Sequence, residues 1–136
     1  MSKSKISGGC VCGALRYESG EEPVYAGYCC CDDCQKTTGS GFAPFVGLPA
    51  ATLKITGETR AHTLTHKDGR TATRRTCATC GSYVLAGLYN GVQAVYAGTL
   101  DDTSRFKPMM AMMLKFKPDW VILPPGLAEF EGLPPQ

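Results

Sequence analysis

Short segments in which apolar and polar positions alternate dominate this chain. Residues 14–18 (ALRYE) alternate as a half-buried strand does, and the turn-forming residues 20–23 interrupt them. Further strands are predicted for residues 24–31, 42–48, 53–56, 62–65 and 109–116. Pro44 has no backbone N–H, which predicts an edge position or a bulge for its strand. The pattern predicts a mainly β domain of short antiparallel strands with little helix.

Two dipeptides predict tight hairpin turns between strands. Asp68-Gly69 and Asn90-Gly91 each separate two strand-like segments, and both supply the positive φ angles of a type I′ turn. One helical turn is expected over residues 33–38, because Asp32 and Asp33 are good capping residues and Gly39 can end it. The tail is rich in proline and is predicted to pack through Trp120, Ile122, Leu123 and Phe130.

Length and composition fit one globular domain. The 136 residues are 43% apolar, enough for one core, so we expect a single domain over residues 1–136 with its core over about 8–131. A net charge of +2 does not by itself indicate a nucleic acid or a membrane. No segment approaches the ~18 apolar residues of a membrane span, and residues 1–9 do not resemble a signal peptide. We therefore expect a cytoplasmic protein with no nucleic-acid or membrane partner; nothing in the sequence specifies its oligomeric state.

Eight cysteines in tight groups make metal binding the main candidate chemistry. In a chain without a signal peptide, CxC and CxxC spacings favour reduced, metal-bound thiols over disulfides. The first and last pairs form one plausible set, here named the four-cysteine group: Cys10, Cys12, Cys77 and Cys80. Four thiolates close the shell of a structural zinc ion, and an ion there would tie two distant segments together. The alternative is four unrelated buried thiols.

The central cluster has a different character. Its candidate ligands, here named the three-cysteine group, are Cys29, Cys31 and Cys34. Residues i and i+2 of a strand face the same side ~6.6 Å apart, so two of these thiols can converge while Cys30 points away. A nearby helix N-terminus favours the thiolate of the third. Three thiolates leave a tetrahedral zinc with one open position, as in catalytic sites. A second structural site completed by Cys30, a histidine or another cysteine is the alternative, and the spacings differ from those of ferredoxin-type clusters.

Other polar residues carry weaker signals. His62 and His66 do not form an HExxH motif, and an exposed or capping role is favoured for both. Residues 54–75 contain six Lys or Arg against two Asp or Glu. These basic side chains more often form a solvated face, but several flank Cys77 and could meet a substrate carboxylate: Arg60, Lys67, Arg70, Arg74 and Arg75.

The cysteine motifs and their flanking residues resemble one family over nearly the whole chain. The pattern runs from Gly8-Gly9-Cys10-Val11-Cys12-Gly13 through Cys29-x-Cys31-x-x-Cys34-Gln35 to Cys77-x-x-Cys80-Gly81. It resembles the glutathione-dependent formaldehyde-activating enzymes, which share a domain with centromere protein V. Gly98-Thr99-Leu100-Asp101 is similar to a late signature of the family. The chain differs from the usual pattern at Cys30, where histidine is frequent, and after Pro108, where another histidine is expected.

The resemblance implies a β-tent fold and two zinc ions. The four-cysteine group would hold the structural ion, and Cys29, Cys31 and Cys34 the catalytic one. It implies a zinc-dependent carbon–sulfur lyase, similar to S-(hydroxymethyl)glutathione synthase, that acts on a small thiol such as glutathione and on formaldehyde. Two alternatives are a non-catalytic zinc-stabilised binding module and a redox or metal-handling protein that uses Cys30 as a free thiol.

Overall fold

Two sheets of unequal size make up the fold. The computed structural model describes residues 6–135. Its strands are β1 (Ile6–Gly9), β2 (Arg16–Ser19), β3 (Tyr25–Cys29), β4 (Ala43–Pro49), β5 (Leu53–Thr56), β6 (Thr59–Thr65), β7 (Thr71–Cys77), β8 (Tyr83–Tyr89), β9 (Val92–Tyr96), β10 (Met110–Met112) and β11 (Ala128–Glu129). One α-helix, α1, spans Asp32–Thr38. Short 3-10 helices cover Ala50–Thr52, Ala97–Thr99, Thr103–Arg105 and Leu114–Phe116. The predicted mainly β class with little helix is confirmed.

The strand order explains how distant cysteines meet. The small sheet has the order β1-β2-β5, and the large sheet has the order β11-β10-β3-β4-β9-β8-β7-β6. All pairs are antiparallel except those of β10 with β3 and β11. A buried cluster that includes Leu15, Leu48 and Val84 also contains Cys10 and Cys77. A second cluster, which includes Phe45 and Tyr96, contains the three-cysteine group. The three-cysteine group therefore lies in one apolar cluster, and the two buried members of the four-cysteine group lie in the other.

Both predicted hairpins are present, but the predicted type I′ turn is confirmed only for Asn90-Gly91, because Asp68 does not have a positive φ. β6 and β7 pair from Thr59↔Cys77 to Thr65↔Thr71, so the turn between them contains Asp68-Gly69. Gly69 has a φ of 91°. Asn90 and Gly91, between β8 and β9, have φ angles of 51° and 77°, the two positive values that a type I′ turn requires. In both places, local turn chemistry determines how the flanking strands pair.

The expectation that Pro44 marks an edge strand is wrong. β4 lies inside the large sheet, between β3 and β9. Its pairing with β3 includes Pro44↔Tyr28, whereas its pairing with β9 begins one residue later, at Phe45↔Tyr96. The proline therefore has a strand neighbour on one side only, which accommodates a residue without an N–H in an otherwise central strand.

The predicted packing of the tail is wrong for two of its residues. Trp120 is 71% exposed and Ile122 is 91% exposed, whereas Val121 between them is buried. A side chain at Gly41 would meet Val121 Cγ2 at 2.1 Å, so this glycine makes room for the tail. Trp120 and Ile122 thus point outward while the smaller Val121 anchors this part of the tail.

Candidate metal centres and the adjoining cavity

The four-cysteine group brings together sulfur atoms from two distant parts of the chain. Cys10 and Cys12 follow β1, Cys77 ends β7, and Cys80 lies in the turn after it. The Sγ atoms of Cys10 and Cys12 are 3.6 Å apart, and those of Cys12 and Cys77 are 3.8 Å apart. All four lie within 4.8 Å of one another. Zn–S bonds of about 2.3 Å in a tetrahedron require S···S distances of about 3.8 Å. The donor set therefore fits one zinc ion.

Backbone N–H groups point at these sulfur atoms. The N–H of Leu15 donates to Cys10 Sγ at 3.2 Å, and those of Thr79 and Cys80 donate to Cys77 Sγ at 3.3 and 3.4 Å. Such donors stabilise thiolates and orient metal ligands. The Leu15 N–H lowers the pKa of Cys10, and hydrogen bonding to Ser82 lowers the pKa of Cys80 to about 5. These contacts favour thiolates at Cys10 and Cys80, whereas the neighbouring thiols, Cys10 first, raise the pKa of Cys12 to about 11.

The local conformation around Cys10 and Cys12 differs from the expectation. The CxC spacing predicts two ligands that project from one strand, but Cys10 and Cys12 lie in a turn that begins after β1 ends at Gly9. Val11 between them is 92% exposed. The N–H of Gly13 bonds to the carbonyl of Cys10 at 3.2 Å, and Gly13 has a φ of 83°. The turn, rather than strand alternation, directs both thiols to the same point.

The three-cysteine group forms where β3 meets α1. Cys29 is the last residue of β3, Cys31 caps the helix, and Cys34 lies in its first turn. The Sγ of Cys31 accepts the N–H of Cys34 at 3.3 Å, so a thiol takes the capping position that was predicted for Asp32 or Asp33. Gly39 ends the helix with a φ of 70°, as expected. The three Sγ atoms lie within 4.8 Å of one another.

The three thiols share charge unequally. Hydrogen bonding from Cys29 and Cys34 lowers the pKa of Cys31 to about 2, whereas the proximity of Cys31 raises the pKa of Cys29 to about 12. The pKa of Cys34 is also raised, chiefly by its contacts with Cys29 and Cys31. Acidic groups that converge disfavour one another's charged forms, which separates their pKa values. A divalent ion would replace the remaining protons, since metal ligation requires thiolates.

No fourth donor completes the three-cysteine group within residues 6–135. Cys30 is fully buried and lies outside the group. Its N–H donates to Met112 O at 3.1 Å and its carbonyl accepts from Gln35 Nε2 at 2.9 Å, so the backbone at this position is fixed on both sides. The three thiols converge as expected, whereas metal binding and an open position on the metal stay predictions.

A cavity of about 680 Å³ adjoins the three-cysteine group. Its wall is mostly apolar and includes side chains from β3, β4, β7, β9 and β10. Representative apolar lining residues are Tyr25, Phe45, Ala72, Val92, Met112 and Met113. The basic lining residues are His66, Arg70 and Arg74. The three thiols thus open onto a space large enough for a small organic molecule.

His66 is a functional candidate that sequence reasoning missed. Its side chain is only 11% exposed, and its Nδ1 forms a hydrogen bond with Asp33 Oδ2. The predicted exposed or capping role is therefore wrong for His66, while His62 is exposed as expected. A carboxylate that accepts from Nδ1 fixes one tautomer and leaves Nε2 to interact with a ligand. No local motif signals this pair, because 33 residues separate its members.

The basic residues of β6 and β7 are not all part of a solvated face. Arg60 and Arg75 are exposed as predicted, but Arg74 is 5% exposed and lines the cavity. Its Nε donates to Tyr96 Oη at 3.1 Å, and its Nη2 contacts Cys34 Sγ at 3.9 Å. Arg70 also lines the cavity, and its Nε donates to Asp68 Oδ2 at 2.7 Å. Of the basic residues that were considered for contact with a substrate carboxylate, Arg70 and Arg74 are the two arginines that line the cavity.

Comparisons with known proteins agree with this architecture. The family model described as glutathione-dependent formaldehyde-activating enzyme matches residues 5–115. A crystal structure of a Rhodobacter sphaeroides protein superposes with a TM-score of 0.54 at 18% identity, covering 91% of this chain and 98% of that one. At this identity the likeness supports the fold alone. No curated protein matches the chain significantly. Within residues 6–135, no helix has the length and apolar character needed to cross a membrane.

Proposed function

This chain belongs to the glutathione-dependent formaldehyde-activating enzyme family, and from that premise we propose that it is a zinc-dependent carbon–sulfur lyase. Its reaction would join a small thiol, such as glutathione, to an aldehyde, such as formaldehyde, and separate the adduct in reverse. The observation that supports the proposal is the three-cysteine group, which lacks a fourth protein donor among the described residues and opens onto a cavity. The four-cysteine group would hold a second, structural zinc ion.

The reaction requires a proton to move between two atoms. The S–H proton leaves as the S–C bond forms, and the carbonyl oxygen gains a proton to become the hydroxyl of the adduct. A zinc ion held by Cys29, Cys31 and Cys34 would lower the pKa of a thiol that binds there from its usual ~8.5. The mostly apolar cavity wall would limit the access of water to the reacting atoms.

His66 would transfer this proton. It lines the same cavity as the three-cysteine group, and Asp33 holds its Nδ1. Nε2 can therefore accept the thiol proton and return it to the carbonyl oxygen, which is a general acid–base role. In the reverse direction the same nitrogen would take the hydroxyl proton of the adduct while the S–C bond breaks.

Substitution of His66 tests this role. We expect His66→Gln to lower the rate of adduct formation about 100-fold, the lower range for loss of a general acid–base group, while thiol affinity changes little. NMR exchange spectroscopy of a thiol and its formaldehyde adduct would measure the rate of adduct formation. A titration of the protein with the thiol would measure the affinity. His62→Gln is the matched control, because His62 lies in β6, which ends just before His66, and is exposed. A His66→Gln rate equal to that of the unaltered protein would exclude the role.

Stepwise removal of metal tests the proposed function as a whole. The four-cysteine group offers a closed shell, whereas the three-cysteine group leaves a position for exchange. Mild chelation should therefore remove one of two zinc ions and abolish catalysed adduct formation while the circular dichroism spectrum is retained. Stronger chelation should unfold the domain. Simultaneous loss of both ions and the fold would contradict this division of roles, and full activity with one ion would contradict the catalytic assignment.

A further inference from the structure

The buried guanidinium of Arg74 has no carboxylate partner among the described residues. The side chain is 5% exposed, and a guanidinium stays charged even when it is buried. Two of its nitrogen atoms have partners, Tyr96 Oη for Nε and Cys34 Sγ for Nη2. Nη1 is buried and has no hydrogen-bond partner within residues 6–135. Neither partner is a carboxylate, so the charge of the guanidinium is not paired with an acidic residue.

The other basic groups of the cavity wall are already paired. Arg70 is held by Asp68, and His66 is held by Asp33. Among the basic lining residues, Arg74 is thus the one without a carboxylate partner within residues 6–135. Its Nη2 also contacts Cys34 Sγ at 3.9 Å. An acceptor bound to the guanidinium would therefore lie close to a ligand sulfur atom that joins the three-cysteine group.

We infer that the cavity selects small thiols that carry a carboxylate close to the sulfur atom, and that Arg74 binds this carboxylate. The inference rests on the proposed function, because it concerns the ligand of the same cavity. A carboxylate suits the site because its two oxygens can accept from the guanidinium nitrogens together, and a bond between two charged groups is stronger than one to a neutral hydroxyl. The mostly apolar surroundings further strengthen such a contact. Arg74 would therefore determine specificity, while the three-cysteine group supplies reactivity.

Two thiols of similar size test this selectivity. Protein reconstituted with Co²⁺ would be titrated with mercaptoacetate and with 2-mercaptoethanol, and the change in sulfur-to-cobalt charge-transfer absorption would give each Kd. We expect mercaptoacetate to bind at least about tenfold more tightly than 2-mercaptoethanol, as one charged hydrogen bond allows. Arg74→Met should reduce the ratio of the two Kd values about tenfold, and Arg74→Lys should retain part of the preference. Comparing the same ratio across variants cancels the different acidities of the two thiols.

Arg75→Met is the matched control, because Arg75 is the next residue of β7 and is exposed. Its ratio of Kd values should equal that of the unaltered protein. A preference for mercaptoacetate that survives in Arg74→Met would overturn the inference. If that variant does not fold, the unaltered protein decides, since equal affinity for the two thiols would also overturn it. A protein that responds to neither thiol would contradict the proposed function and, with it, the selectivity that depends on that function.

Discussion

Replacing Cys80 with serine is expected to abolish the folded domain. The substitution removes one donor from the four-cysteine group, which connects the segment after β1 with the segment after β7. Binding of a structural zinc ion contributes about 10–16 kcal/mol, as much as the whole stability of a typical domain, about 5–15 kcal/mol. Most of this contribution would be lost, because the remaining three thiolates hold the ion weakly. Soluble yield, circular dichroism and metal content would show the loss.

Cys30→Ser is the control that separates loss of a ligand from loss of a buried thiol. Cys30 is fully buried but belongs to neither group. Serine there would bury a hydroxyl, so the free energy of unfolding should fall by only about 1–3 kcal/mol and both metal ions should remain. A Cys80→Ser protein as stable as the unaltered one would show that the four-cysteine group does not hold a structural ion. Loss of one metal ion in Cys30→Ser would instead make Cys30 a ligand.

Cys34→Ser is expected to fail in a different way, by losing activity while the fold remains. The residue lies in the first turn of α1, and its backbone N–H can still donate to Cys31 Sγ, the helix cap, after substitution. The three-cysteine group would keep two donors, too few to hold the second ion at ordinary concentrations. A metal contributes several kcal/mol to such reactions, so the rate of adduct formation should fall by at least about 100-fold.

The measurements for Cys34→Ser are a metal count, a melting curve and the rate of adduct formation. One ion per chain, cooperative melting and the lost rate together are the expected result. Full activity of Cys34→Ser would show that the three-cysteine group is not the reactive centre. Thr38→Ser, another change in the same helix, should retain both ions, because Thr38 Oγ1 bonds to the carbonyl of Cys34 and a serine hydroxyl can do the same.

The sequence predicted those features that short-range chemistry determines. The spacing of the cysteines identified the three-cysteine group and each half of the four-cysteine group, because a turn or a helix end directs neighbouring thiols to one point whatever the rest of the fold does. Asn90-Gly91 predicted its hairpin for the same reason, because few dipeptides readily adopt a positive φ at both residues. Gly39 predicted the end of the helix.

Features that depend on long-range pairing could not be predicted. His66 looks like an exposed turn residue until the large sheet places it against Asp33. Arg74 and Arg75 are chemically alike, and only the arrangement of β7 makes the first face the cavity and the second face solvent. Pro44 itself pairs with a strand on one side only, as its missing N–H predicts. The later residues of β4 nevertheless pair on both sides, so the strand lies in the middle of the sheet.

The distance between the two halves of the four-cysteine group also affects how the chain folds during synthesis. Cys12 and Cys77 meet although 65 positions separate them, and closing a loop of that length costs roughly 4 kcal/mol of chain entropy. A growing chain cannot complete this group until Cys80 has left the ribosome. The three-cysteine group spans only six positions and is complete much earlier. The nascent chain therefore exposes the three-cysteine group to metal ions before the proposed structural site can form.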